Sequence, residues 1–170
     1  MEQDNALVLG WSFGLGKSRK KKDPGTCNMD LMRRFLNVRN LSRLSLVLQE
    51  ELKEAAEIQL GAVIVSHLHI VKVFPSPPEN PPTTLSIAEQ GVAYAEAHGY
   101  KKMYILAFPF IHRYFCKKYT NLIAKPLGIS VQSIRTGWIP FDENNGQWLA
   151  RGPLQLICYT ILRACGVRWL

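Results

Sequence analysis

At 170 residues with 47% hydrophobic side chains, the chain is long enough to bury about two thirds of its unfolded surface as one globular domain over 1–170, so no disulfide scaffold is required. Its 21 Lys and Arg against 13 Asp and Glu leave a net charge of +8, which favours anionic partners, small or polymeric, without choosing among them. No apolar run reaches the roughly 18 residues of a membrane helix, the opening MEQDNALVLGW lacks the basic and apolar regions of a secretory signal, and the four cysteines form no CxxC pair. A soluble, cytoplasmic protein with reduced thiols and no membrane span is therefore expected.

Ala6 to Gly10, ALVLG, is a continuous apolar run closed by glycine and predicts a first strand covered on both faces. Trp11 to Thr26 reads as a surface loop containing Gly14, Gly16 and Pro24-Gly25. Within it, KSRKKK at Lys17 to Lys22 is a solvated basic run without the aromatic interleaving of RNA-binding modules. Asn28 is placed to cap a helix carrying Leu31, Met32, Phe35 and Leu36. A second helix is expected from Ser42, with Leu44, Leu48, Leu52 and Ala55 as its apolar stripe, ending before Gly61.

Ala62 to Ser66, AVIVS, predicts the second strand, with His67 and His69 at its end. The proline-rich FPSPPENPPTT that follows is a stiff extended connection, read as a lid or rim. Ser86 and Glu89 have the spacing of a capping box at the start of a helix that Gly99 closes. Tyr104 to Phe108 predicts the third core strand, Arg113 to Ala124 a helix, and Ile129 to Ile134 a fourth, edge-like strand. A final helix has Pro153 in its first turn, and Trp148, Leu154, Ile157, Ile161 and Leu162 predict that it docks into the core. Strands separated by helices imply right-handed crossovers, hence an α/β, Rossmann-like three-layer sandwich with a mainly parallel sheet of about four or five strands.

The candidate site centres on MYILAFPFIHRY, Met103 to Tyr114, a buried strand that stops at Pro109 and is followed by His112 and Arg113. That is the carboxyl end of a strand, where open α/β sheets bind ligands. His112 ordinarily exchanges a proton near neutrality, and Arg113 offers a permanently charged fork suited to phosphate or carboxylate. Gly10, Ser12, Gly14 and Gly16 would bring backbone N–H groups to the same anion. Ser66 and His67 at the second strand's end, with Thr84 and Glu89 at the next helix start, complete the ligand-binding set. GWSFGLGKS is not a phosphate loop, because five residues separate Gly10 from Gly16 where that motif has four. His67, His69 and His112 would supply three nitrogens to zinc, but with no acidic second shell they read as hydrogen-bonding residues and no metal is expected. Cys116, one turn from His112, reads as core rather than as a nucleophile.

With LVLG at Leu7 to Gly10, the glycine loop, Asn28, Thr84 followed by Glu89-Gln90, and His112-Arg113 after a strand, the chain resembles the SanA, ElyC and YdcF-like family, a domain of unknown function. It departs from that pattern at Ser66, where SHLHI stands in place of Ser-Gly-Gly, and at Gln90, which stands in place of Asn. The resemblance implies a Rossmann-like domain with a polar crest pocket, roles in cell-envelope biology and, for one branch, S-adenosylmethionine as a cofactor. It implies no catalytic mechanism. Together these readings predict a small anionic or nucleotide-like ligand at the strand crest, clamped by Arg113, with His112 as hydrogen-bond donor or acid/base and with hydrolysis or group transfer as compatible chemistry. The rival expectation is a noncatalytic basic adaptor that binds nucleic acid through KSRKKK.

Overall fold

The fold, taken from a computed structural model, is described for residues 6–13, 23–37, 44–61, 68–75, 83–143 and 151–164. Among these, five strands form one sheet: β1 (Ala6–Gly10), β2 (Leu44–Gln49), β3 (Ile70–Phe74), β4 (Lys102–Leu106) and β5 (Ser130–Ser133). Their order is β3-β2-β1-β4-β5, and every neighbouring pair is parallel. Five helices accompany them: α1 (Thr26–Leu36), α2 (Glu50–Leu60), α3 (Thr84–Ala97), α4 (Ile111–Ala124) and α5 (Pro153–Ala164). The result is the expected Rossmann-like α/β sandwich, its sheet wholly parallel.

Successive strand side chains point to opposite faces, and β1, buried throughout, feeds two cores. Val8 packs with Leu31, Met32, Phe35, Leu46, Leu52 and Phe108 on the α1 and α2 side. Leu7 and Leu9 pack with Ile87, Val92, Met103, Ile105 and Cys116 on the α3 and α4 side. There α3 approaches so closely that a Cβ on Gly91 would sit 2.3 Å from Leu9 Cδ2. No helix among the described residues is long and apolar enough to cross a membrane.

Four expectations are corrected. Leu44 to Gln49 is a strand, and α2 begins directly after it at Glu50. The four-residue spacing of Leu44, Leu48 and Leu52 satisfies the strand period as well as the helical one, and burial of consecutive residues from Ser45 to Gln49 decides for a strand covered on both faces. Asn28 does not cap α1, which starts at Thr26 after Gly25 (φ 78°); Asn28 lies buried in the first turn instead. The cap of α3 is Thr83, whose side chain accepts from the Ser86 N–H at 3.1 Å, three residues ahead of the expected position. Finally, α5 enters the core through Leu156, while Leu154, Ile157 and Ile161 are 72%, 43% and 56% exposed, because α1 and α2 already cover that side of the sheet. Ala62 to Ser66, the central part of the proline-rich connection, KSRKKK and Trp148 lie outside the described residues. Among the described residues the strand next after α2 is Ile70–Phe74, and His69 immediately precedes it.

Candidate functional site

In this strand order the chain leaves β1 and β4 toward opposite sides, which places the ligand crevice of an open α/β sheet beyond their carboxyl ends. The β1 exit is tied down by its neighbours. Trp11 N donates to Leu106 O at 2.9 Å, Ser12 N to Gln49 Oε1 at 2.7 Å, and Phe13 N to Asn28 Oδ1 at 2.7 Å. The Asn28 amide completes the brace by donating to Pro24 O at 2.6 Å. The N–H of Ser12, expected to face an anion, is thus paired with the Gln49 side-chain amide, as that of Phe13 is with Asn28. Phe13 then folds across the crevice, stacked on Phe108 with centroids 4.1 Å apart, with Phe141 edge-on to both rings. Gly10 closes β1 against Leu48 and Leu52. Gly14, Gly16, Ser66 and His67 lie outside the described residues.

His112, in the first turn of α4, turns into this aromatic packing, its ring 5.0 Å from that of Phe13. Its Nε2 lies 3.6 Å from Cys116 Sγ, and its Nδ1 is enclosed with no hydrogen-bond partner. Part of the residue surface stays accessible, but proton affinity follows the surroundings of the nitrogens, and Nδ1 has no contact with solvent. Burial accordingly pushes the His112 pKa from 6.5 down to about 4 and the Cys116 thiol well up. Both groups are neutral at pH 7. The expectation that His112 titrates near neutrality is corrected by this desolvation, and the two side chains meet as packing partners without forming a thiolate–imidazolium pair.

One residue along the helix is about 100° around it, and Arg113 goes the other way. Its Nη1 donates to Ile134 O at 2.9 Å, which holds the guanidinium beyond the end of β5. There an open cavity of about 640 Å³ is lined by Pro109, Phe110, Arg113, Lys117, Ser133, Arg135, Gly137 and Trp138, with no acidic side chain among the described residues of its wall. Burial, and then the charge of Arg135, move the Arg113 pKa down from its usual value, as expected of two cations facing one space. Phe110 is the non-glycine residue with positive φ (66°) among the described residues, a costly conformation for a bulky side chain. That strain sets the Phe110 ring on the cavity rim, 4.9 Å from the ring of Trp138, and the two residues are 48% and 59% exposed. α4 also starts with no capping side chain and no acid in its first turn, where the Arg113 N–H donates to Phe108 O at 3.1 Å.

The structure therefore separates the adjacent His112 and Arg113 into a buried crevice and an open groove. Thr84 lies half-buried in the first turn of α3 and Glu89 is exposed on that helix; neither lines the groove. His69 is at the opposite, amino edge of the sheet, its Nδ1 3.0 Å from Ser45 Oγ, which also accepts from Tyr100 OH at 2.7 Å. No cluster of three metal-ligating side chains occurs among the described residues, and His67 lies outside them. Lys117, Arg135 and Trp138 were not anticipated. For the two cations the signal was a charge imbalance, because Ala97 to Phe141 contains seven Lys and Arg and no Asp or Glu.

Fold and groove define a Rossmann-like α/β protein with a basic, aromatic-rimmed groove at the carboxyl edge of its sheet. No family model matches the chain, and no curated protein or solved structure matches it significantly.

Proposed function

We propose that the protein binds a phosphorylated, nucleotide-like ligand in the groove between α4 and the segment after β5, with Arg113 and Arg135 on the phosphate and the exposed face of Trp138 against the base. The observation that carries this reading is the lining itself: among the described residues, three cations, two exposed aromatic rings and no acid around about 640 Å³, a volume within the ordinary range for small-molecule sites. Ile134 O occupies one Nη1 bond of Arg113, which leaves further donors of the planar fork for an oxyanion. The crest location agrees with the SanA, ElyC and YdcF-like resemblance. S-adenosylmethionine fits less well, since its sulfonium and ammonium outnumber its carboxylate and would meet Arg113, Lys117 and Arg135. Because His112 is neutral and turned away from the groove, the reading is one of binding, with no acid/base step assigned to it. Free thiols at Cys27, Cys116 and Cys158 support a reducing, cytoplasmic setting.

Calorimetric titration with adenosine 5′-monophosphate and with adenosine tests the proposal. The nucleotide should bind at least about tenfold more tightly, a difference of about 1.4 kcal/mol for the phosphate. Affinity should fall in the order wild type, Arg113→Lys, Arg113→Ala, since lysine keeps the charge and loses the fork. Equal affinity for nucleoside and nucleotide, or undiminished binding by a folded Arg113→Ala variant, would refute the site.

A further inference from the structure

We infer that the nucleotide recognised by this groove is one unit of a single-stranded nucleic acid, whose backbone continues along α4; the inference rests on the phosphate-and-base reading above. The groove is not the end of the positive surface. Lys117 and Lys118 on α4 and Lys125 just after it are all exposed, and Tyr114 lies among them 61% exposed. From Arg113 to Lys125 the helix rises about 18 Å at 1.5 Å per residue. A stacked strand presents about five phosphates over that length, at roughly 3.4 Å each. No Asp or Glu occurs anywhere between Glu96 and Asp142, so nothing acidic within the β4–α4–β5 unit repels a polyanion.

Cations along a track with exposed aromatic rings beside them are the components of a sequence-tolerant single-strand platform, in which salt links hold the backbone and rings stack the bases. Phe110, Tyr114 and Trp138 supply such rings. A duplex has its bases already stacked on one another and gains nothing from them. A bilayer surface is the poorer match, because a membrane-bound helix needs a continuous apolar stripe. The buried side of α4, with Cys116, Thr120 and Ala124, is committed to the protein core, and its exposed side interleaves lysines with Tyr114 and Leu122.

The test is fluorescence anisotropy of the full chain with a labelled ten-residue oligothymidylate across a salt series, beside titration with adenosine 5′-monophosphate. The oligonucleotide should bind more than tenfold more tightly than the mononucleotide, with log affinity falling by about 0.7 per decade of salt for each phosphate contacted. Lys118→Ala combined with Lys125→Ala should flatten that slope by about 1.4 and weaken the oligonucleotide several-fold, leaving mononucleotide binding unchanged. If the mononucleotide binds and the oligonucleotide binds no better, or if the double variant keeps the wild-type slope, this inference fails and the small-ligand reading stands. Loss of both ligands refutes both. Binding to phosphatidylserine vesicles without oligonucleotide binding would overturn the inference by assigning the face to a membrane surface.

Discussion

Acidification should destabilise this fold through His112. The unfolded chain takes up a proton on this side chain near pH 6.5, whereas the folded protein resists doing so until about pH 4. Its contribution to stability is therefore complete above pH 6.5 and disappears as the pH falls through 4, at about 1.4 kcal/mol per pH unit within that window. The whole window amounts to about 3 kcal/mol, and the step from pH 7 to pH 5 to about 2 kcal/mol. These are upper values, since part of the residue surface reaches solvent. Urea denaturation at pH 7 and pH 5, compared between wild type and His112→Leu, isolates the term, because the carboxylates titrate alike in both proteins and cancel in the difference. Leucine keeps an apolar contact with Phe13 and cannot be protonated. The variant should lose about 2 kcal/mol less than wild type between the two pH values, seen in thermal scans as a difference of about 4–8 °C. Equal losses would mean that the imidazole is solvated in the folded state and that the buried-crevice reading is wrong.

Further substitutions test other parts of the architecture. Gly91→Ala places a methyl group 2.3 Å from Leu9 Cδ2 and should cost about 1–3 kcal/mol of unfolding free energy by overpacking between α3 and β1; a neutral result would show that this contact relaxes freely. Asn28→Ala leaves the buried Phe13 N–H and the Pro24 carbonyl without their amide partner, and chemical denaturation should register a loss of about 2 kcal/mol. Leu156→Ala should destabilise by about 2–4 kcal/mol and Leu154→Ala by less than about 0.5 kcal/mol, given exposures of 5% and 72%; equal effects would contradict the single-anchor docking of α5. Arg135→Gln relieves the repulsion on Arg113, so it should leave the ligand-free unfolding free energy equal to or slightly above wild type, by about 0.5 kcal/mol or less for a screened surface pair. The same change should reduce stabilisation by adenosine 5′-monophosphate; stabilisation at full wild-type strength would remove Arg135 from the site.

How far residues announced this structure depended on whether one period dominated. β1 was readable because both its faces are buried, which leaves a continuous apolar run that a surface helix would not have. β2 was not, since Leu44, Leu48 and Leu52 fit two periods at once, and only the burial of the intervening Ser45, Leu46 and Val47 separates them. The α5 stripe had a helical period and formed a helix, but periodicity alone does not say whether a partner surface is free. At the site, the strand-end position of His112 and Arg113 followed from the run that stops at Pro109. Their divergence did not, because it arises from the turn of α4 and from the neighbours each one meets, Phe13 and Cys116 for one and Ile134 for the other.

The charge distribution ties these observations together. KSRKKK is the conspicuous basic run, yet outside Ala97 to Phe141 the chain is nearly balanced, with 14 Lys and Arg against 13 Asp and Glu. The imbalance belongs to the β4–α4–β5 unit. Elsewhere cations meet acids, as in Arg33 with Asp30 at 2.7 Å on α1 and Lys53 with Glu57 at 2.9 Å on α2. At the groove Arg113 and Arg135 instead share a wall with no acid among its described residues, and Phe110 holds a strained backbone beside them. Folding gains nothing from like charges placed together, nor from a bulky side chain at positive φ. The proposed ligand, an anion with a flat ring, would offset the first cost and use the second, because the strained turn is what presents the aromatic rim next to the cations.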